Sequence, residues 1–342
     1  MSRIIVKNAT SGIELLWRHI RIKKSLDNIC HTLELEIPAS ERTKVNKHDK
    51  ITVRYVDSIV REPHGLVTTV LIDEITASAD ISKHNVLVIG RSPARDIIDS
   101  TWTDARTGLK LLELIKYIAG IFNITDCSII PNPTNNSEYD PTIEVPFFFW
   151  QNESPWMKLI TEADNQGFIL TSNEAGGLYI WQPEGTVRRE GFHLTEGQNI
   201  KNIEWKENGA EQYHKYIVSG GGREISVIDN SCNNKRILTI DLTNPVIDQE
   251  SLQRRAKTEM NRRKETRVTV TVSGWGLTEK QIQNLGTNLH GKEILWTPNL
   301  LIPVSIPSMG LEAKLLIAEV ELEASVETMS STITLVKRAA YL

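Results

Sequence analysis

Cysteine is scarce in this chain, and charge of one sign is not in excess. Only three cysteines, Cys30, Cys127 and Cys232, occur among 342 residues, and they stand far apart. That spacing gives neither a disulfide framework nor a CxxC metal knuckle, so three buried free thiols are expected. Lys and Arg number 39 against 43 Asp and Glu, a formal charge of −4, which argues against a surface built wholly to neutralise phosphates. Glycine and proline are too few, at 20 and 13, for a collagenous or low-complexity chain. The start, Met1-Ser2-Arg3-Ile4-Ile5-Val6-Lys7, has no apolar run before its first charges. A secretory leader is therefore not expected, and synthesis and assembly in a cytoplasm are. The 18 uncharged residues from Ile294 to Leu311 include Pro298, Pro303 and Pro307, which excludes a regular helix in lipid. No membrane insertion is expected.

What the chain does contain is alternation. Leu33, Leu35 and Ile37 alternate with Glu34 and Glu36, and Ile51, Val53 and Tyr55 with Thr52 and Arg54. Period two is the mark of half-buried strands, and the Ser40–Lys50 stretch between these two is expected to be a loop. Further strands are expected at Val67–Ile72, Val86–Ile89, Tyr213–Ser219 and Arg267–Trp275. Val320, Leu322 and Ala324 alternate with Glu319, Glu321 and Glu323, and Ile333 and Leu335 with Thr332 and Thr334. Between these β-rich ends the period changes. Leu111, Leu112, Ile115, Ile118, Ala119 and Phe122 recur at helical spacing and predict a helix over Thr107–Ile121. Ser154-Pro155 predicts the start of a second helix that ends at Gly167. Pro131–Pro146 reads as a connector, and Phe168–Leu170 with Leu178–Trp181 as a hairpin closed at Asn173–Gly177. A last helix is expected from Asp248 as N-cap, with Ile247 and Leu252 as a staple.

The predicted fold class is β-rich α+β, with two tube-forming antiparallel β-barrel domains and smaller inserted α/β domains. Its division is 1–92 for the first barrel, 93–190 for the α/β insert, and 191–342 for the second barrel with helix 248–264. No repeat is evident at the level of identical residues.

Chemistry is harder to find. Ser219-Gly220-Gly221-Gly222 could cradle an anion, but Arg223–Ile228 after it alternates like a strand, so a hairpin tip is expected rather than a phosphate loop. No histidine pair has zincin spacing; His193 and His214 are expected at or near the surface. Glu34/Glu36 and Asp73/Glu74 are the carboxylate pairs to weigh for glycoside hydrolysis, yet nothing marks a glutamate as desolvated. No G-x-S-x-G elbow is present. Seven cations, Arg254, Arg255, Lys257, Arg262, Arg263, Lys264 and Arg267, could line a nucleic-acid path. The competing reading is a solvated face partly neutralised by Glu259 and Glu265, or a patch docking on an acidic neighbour. Trp150, Trp156 and Trp181 are possible stacking platforms, or more simply the core of the insert. No catalytic, cofactor-binding or metal-binding residue is assigned.

Three blocks in order carry a resemblance. The first is Val88-Ile89-Gly90-Arg91-Ser92 with Asp96-Ile97-Ile98-Asp99. The second is Gly167–Asn173 with Gly176-Gly177. The third is the Arg-rich helix, Gly274-Trp275 and Leu295–Leu301. Together they resemble the baseplate hub, or P-type tail, protein of Mu-like bacteriophages, related in fold to the central hub of the T4 baseplate. The stretch Gly276–Lys292 is longer than that pattern. The resemblance implies a homotrimeric ring of pseudo-sixfold symmetry in a virion tail baseplate, contacting a tail tube protein above and a tail spike protein below. DNA would pass through its lumen without specific binding. The alternatives from other classes are a tail-associated cell-wall glycoside hydrolase and a carbohydrate- or DNA-binding module.

Overall fold

The computed structural model describes residues 3–56, 65–79, 84–130, 144–181, 191–242, 249–277 and 294–341. The first β-rich stretch runs through β1 (Arg3–Asn8), β2 (Ile13–Leu15), β3 (His19–Ser25), β4 (Thr32–Pro38), β5 (Lys50–Val56), β6 (Gly65–Ala79) and β7 (His84–Arg91). The predicted alternation is what buries them: Leu33, Leu35 and Ile37 point inward along β4, and Ile51, Val53 and Tyr55 along β5. The Ser40–Lys50 loop opens with a 3₁₀ turn over Ala39–Lys44, because Glu41 turns inward to pair with Lys44 and accept the Leu16 N–H.

Then follow α1 (Arg95–Asp99), β8 (Trp102–Lys110), α2 (Leu111–Ile121), β9 (Cys127–Ile130), β10 (Glu144–Glu153), α3 (Trp156–Asn165), β11 (Ile169–Ser172) and β12 (Leu178–Trp181). The helix expected from Thr107 starts later, at Leu111. Residues Thr107–Lys110 belong instead to β8, where β10 pairs them through Thr107↔Phe147 and Leu109↔Val145. Glu113 accepts the Lys110 N–H and so starts the helix one strand-end later. Pro146 likewise sits in β10 rather than in a connector, whose residues 131–143 lie outside those described. The predicted start of α3 holds: Ser154 Oγ accepts the Trp156 N–H at 3.2 Å, and Gly167 follows its end at φ +77°. In the β11–β12 hairpin, Asn173 Oδ1 accepts the Gly177 N–H, and a Cβ on Gly177 would meet Asp126 O at 2.1 Å. Only glycine allows that approach.

The chain returns through β13 (Leu194–Thr195), β14 (Ile200–Lys206), β15 (Lys215–Gly220), β16 (Arg223–Ile228), β17 (Ile237–Leu242), α4 (Gln249–Lys264), β18 (Arg267–Ser273), β19 (Leu301–Ile306), β20 (Leu311–Ser325) and β21 (Met329–Val336). Tyr213 and His214 precede β15, and Gly274-Trp275 lie just past β18. The expected cap Asp248 and staple residue Ile247 lie outside the described residues, as does most of Gly276–Lys292. Ser219–Gly222 is the tip of the β15–β16 hairpin, with Gly221 and Gly222 at φ +57° and +73°.

Among the described residues, thirteen strands form one sheet, whose main path is β14-β18-β21-β20-β3-β4-β7-β6-β5-β1-β2, with β19 on β20 and β13 on β19. The fold class is β-rich α+β. One strand plan occurs twice. β3-β4-β7-β6-β5-β1 in the first half matches β14-β18-β21-β20-β19-β13 in the second, although β1 pairs antiparallel and β13 parallel. The match extends to an irregularity. The register slips between Ile72 and Glu74 in β6 against β7, and at the matching place between Ile317 and Glu319 in β20 against β21. One apolar core runs through both halves, joined by Tyr55 stacked on Trp275 at 6.3 Å. The insert has its own core, built on Leu111, Leu114, Ile118, Leu159, Phe148 and Trp150. A small third unit packs β15–β17 on α4 through Val218, Leu242, Leu252 and Ala256.

Candidate functional site

Among the described residues, organised polar chemistry lies on the sheet face and at the seams between units. β3 is the strand that joins the halves, with β4 on one side and β20 on the other. Because side chains alternate, His19, Arg21 and Lys23 share the wettable face with the glutamates of both neighbours. Lys23 Nζ is 2.9 Å from Glu319, Arg21 is 3.2 Å from Glu34 and 3.5 Å from Glu321, and His19 Nε2 is 2.8 Å from Glu323. The His19 hydrogen bond, with Arg21 beside it, holds the Glu323 carboxyl below its usual range. Exposed pairs of this kind each contribute little, about 0–1 kcal/mol. Collectively they leave glutamates in excess on the face of the joint, with Glu34, Glu36, Glu319, Glu321 and Glu323 set against Arg21, Lys23 and His19. Glu34, weighed above as half of a hydrolytic pair, is thus an ion-pair partner.

The second seam lies between the sheet and the insert, and the first two resemblance blocks meet there. Asp73 of β6 receives Arg91 Nε at 2.7 Å and the buried guanidinium of Arg95, which also donates to Leu71 O at 3.1 Å. Arg91 reaches on to Asp99 at 2.5 Å, and that hydrogen bond holds the Asp99 carboxyl below its usual range. Asp73, like Glu34, is thus an ion-pair partner. Ser92 and Ser172 hydroxyls touch at 2.6 Å, and the Ser172 N–H donates to Ile29 O at 2.8 Å. His31 is buried beside them, its Nδ1 3.2 Å from the Thr68 hydroxyl. Burial, and then the nearby Lys24 ammonium, push its pKa well down, against an opposing hydrogen bond to the Ser172 backbone. Cys30 donates to Ser92 O, and burial pushes its thiol up to about 11, which suits a packing residue and not a nucleophile. All three cysteines are free and buried.

The third block closes the second half. Trp275 is fully buried and donates its indole N–H to Glu323 O at 2.9 Å, while the Trp296 N–H donates to Trp275 O at 2.9 Å. Asn299 and Ile317 then tie this loop to β20.

The basic helix does not offer a free cationic path. Arg255 bonds Asp164 of α3 at 2.5 Å and Glu259 at 2.8 Å, and Arg263 bonds Glu259 at 3.0 Å. Arg262 lies 3.8 Å from Asp164, Lys264 lies 4.0 Å from Asp229, and Arg267 lies 3.1 Å from Asp27. Arg254 donates to Asn165 O at 3.3 Å. Glu259 lies on α4 itself, but Asp164, Asp229 and Asp27 come from other elements, so the pairs they make tie α4 and the start of β18 to the insert and the sheet. Lys257 stays exposed. Of the tryptophans weighed as stacking platforms, Trp150 is fully buried against Trp102 and Phe148, Trp156 is buried, and Trp181 donates to Thr171 at the hairpin. His193 and His214 are both partly exposed.

One desolvated glutamate escaped the sequence reading. Glu265, on the short link between α4 and β18, has its carboxyl pushed up by burial. Its neighbours are Lys337, whose N–H it accepts at 2.8 Å, Lys264 and Arg267, not a second carboxylate. A cleft of 270 Å³ opens beside the sheet–insert seam between Lys23, Cys30, Arg91, Ile98 and Trp156; its carboxylate, Asp27, is already held by Arg267 and the Tyr341 hydroxyl. Among the described residues no group of three or more His, Cys, Asp or Glu is placed to hold a metal ion, and no helix is long and apolar enough to cross a membrane.

No protein-family model matches the chain, and a search of curated sequences finds no relative. Solved structures do match along its length. The 43 kDa tail protein of prophage MuSo2 from Shewanella oneidensis is 21% identical, with 99% of each chain covered and a TM-score of 0.78. A tail protein from Neisseria meningitidis is 14% identical, over 99% of this chain and 98% of that one, with a TM-score of 0.77. An Escherichia coli component of the type VI secretion system, described as structurally similar to the T4 tail proteins gp27 and gp5, is 9% identical over 98% and 76%, with a TM-score of 0.56. At these identities the likeness is one of fold, and the fold is that of phage tail and tail-like proteins.

Proposed function

We propose that a chain with this tail-protein fold serves as the structural, non-enzymatic hub of a contractile phage tail. Three copies form a ring at the lower end of the tail tube in the virion and carry a spike beneath it. On this reading residues 1–92 and 191–342 are two tube domains, each half of the large sheet curling into a barrel, and residues 93–190 are the insert on the ring's outside.

The observation that carries the reading is the strand plan that occurs twice in one chain. A trimer of such a chain presents six equivalent units around its axis, which lets it seat under a sixfold tube. The likeness to prophage tail proteins over 99% of the chain supports the setting. The ladder around β3 gives a wettable face on which glutamates outnumber cations, suited to letting DNA pass without holding it. A heterologous contact that closes after three copies is required, since an open one would give filaments.

The test is the mass of the purified chain in solution together with images of single particles. A three-lobed ring with a central opening is expected. Monomers alone at tens of micromolar, or a closed dimer, would overturn the reading.

A further inference from the structure

The joint between the halves inside one chain has no counterpart, among the described residues, at the free edges of β14 and of the outer stretch of β6, and we infer that the next copy supplies it. Specifically, β14 of one copy pairs antiparallel with the outer stretch of β6 in its neighbour, in the register that β3 makes with β20. This rests on the ring reading above and says which surfaces build the ring.

The argument starts from the duplicated plan. β3 occupies the same place in the first half as β14 in the second, and β6 the same place as β20. Within the chain β3 pairs with β20 through Glu321↔Lys23, Leu322↔Ile22 and Glu323↔Arg21. Yet among the described residues β14 pairs on one side only, with β18. In β6, residues 65–71 pair with β5 and 71–79 with β7; the side of 74–79 that corresponds to the β3 side of β20 carries no described strand. An open edge is a row of unpaired N–H and C=O groups.

Register follows from the pairings. Glu74↔Ile89 and Ile89↔Glu34 in the first half correspond to Glu319↔Thr334 and Thr334↔Thr269 in the second, and Arg21↔Glu34 corresponds to Glu204↔Thr269. Glu204 is thus the counterpart of Arg21, Trp205 of Ile22 and Lys206 of Lys23. Ser78, Ala77 and Thr76 are the counterparts of Glu323, Leu322 and Glu321. The contact between copies therefore reads Thr76↔Lys206, Ala77↔Trp205 and Ser78↔Glu204.

Burial supplies an independent observation. Ile22 and Leu322 are fully buried where the internal joint covers them, whereas Trp205 is 38% exposed and Ala77 is exposed. Trp205 stands on the core side of its strand, opposite the buried Val268, so its exposure is that of a core position lacking its cover. One ion pair carries over too: Lys23 reaches diagonally to Glu319, and Lys206 would reach Glu74 of the neighbour in the same way.

The experiment uses the full chain. In the double variant Ser78→Cys/Glu204→Cys, opposed Cβ atoms would lie about 4.5–5.5 Å apart, close enough for mild oxidation to join copies. Covalent species ending at a trimer are expected on a denaturing gel, with none from either single variant, because the three native cysteines are buried. Trp205→Glu changes an exposed residue and should weaken association at least about tenfold in sedimentation while the circular dichroism spectrum is retained. If the chain associates but the double variant does not cross-link and Trp205→Glu associates as before, the ring is built on other surfaces; the inference falls and the ring reading stands. A chain that stays monomeric at tens of micromolar removes both.

Discussion

The corner after β7 and the corner after β21 occupy matching places in the two halves and are finished in opposite ways. In the first half Asp73, Arg91 and Arg95 form a partly buried ionic knot over the end of the sheet. The residues in the matching register positions of the second half are Ala318 and Val336, both buried, and the chain after Val336 folds back so that Ala340 and Tyr341 complete an apolar cluster with Leu26, Ile169 and Leu316. Even the strand itself adapts. Gly90 sits where Leu335 sits, because a Cβ there would meet Leu71 O at 2.7 Å. Strand order is thus set by alternation and pairing, which both halves share, while the corners are free to diverge. In the first half the corner docks the insert through α1; in the second it docks α4, with Arg262 over the Tyr341 ring at 5.4 Å.

Exchanging the corner residues tests how far that divergence has gone. Ala318→Asp copies the first half's carboxylate into the second half's apolar cluster, where the nearby guanidiniums, Arg262 and Arg267, already face Asp164 and Asp27. The cost expected is about 3–5 kcal/mol, the range for a buried charge without its partner. Chemical denaturation followed by intrinsic fluorescence measures it. A loss below about 1 kcal/mol would mean that the corner opens to water more readily than its burial indicates.

The converse change is milder. Asp73→Ala removes the acceptor shared by Arg91 and Arg95, but Arg91 keeps Asp99 and Arg95 keeps Leu71 O. About 1.5–3 kcal/mol is expected, the usual range for hydrogen bonds to charged groups. Limited proteolysis should at the same time show the insert becoming easier to cleave from the sheet. If Asp73→Ala cost as much as Ala318→Asp, the two corners would be equally intolerant and the contrast between them would fail.

This divergence also explains what could and could not be read in the sequence. Alternation located β4, β5, β18, β20 and β21 because each has one face in the core and one in water. The helix start was misplaced because Thr107–Lys110 contains no residue that forbids either state, and only the β10 partner decides it. The duplication left little identity: Lys23 matches Lys206 and Glu74 matches Glu319, but Gly90 matches Leu335, Asp73 matches Ala318 and Arg91 matches Val336. Pairing preserves hydropathy at inward positions and little else. The arginines of α4 were visible as a cluster, but their partners Asp164, Asp229 and Asp27 come from three other parts of the chain, so the patch read as more open than it is. Glu265 was missed for a related reason, since its burial comes from the fold around it and its sequence neighbours, Lys264 and Thr266, give no sign of it.

The smallest effect distinguishes the halves by pH. His31 precedes β4, and the matching position before β18 is Thr266. The imidazole, buried near Lys24, has its folded-state pKa well below the ordinary value of 6.5. Below pH 6.5 the unfolded chain therefore binds a proton that the folded chain refuses. Stability from this group is undiminished above 6.5 and is lost as pH falls from 6.5 toward the folded value. The slope of that loss approaches about 1.4 kcal/mol per pH unit for one proton. His31→Thr places the second half's residue in the first half and should flatten the decline between pH 6.5 and 5, with little change at pH 7.5 where His31 is neutral in both states. The measurement is the denaturant midpoint of both proteins across that range; His19, His48 and the carboxylates are common to both and cancel in the difference. Parallel curves would mean that His31 takes up its proton within the folded protein, the Lys24 side chain or the hairpin at Glu174 giving way to admit it.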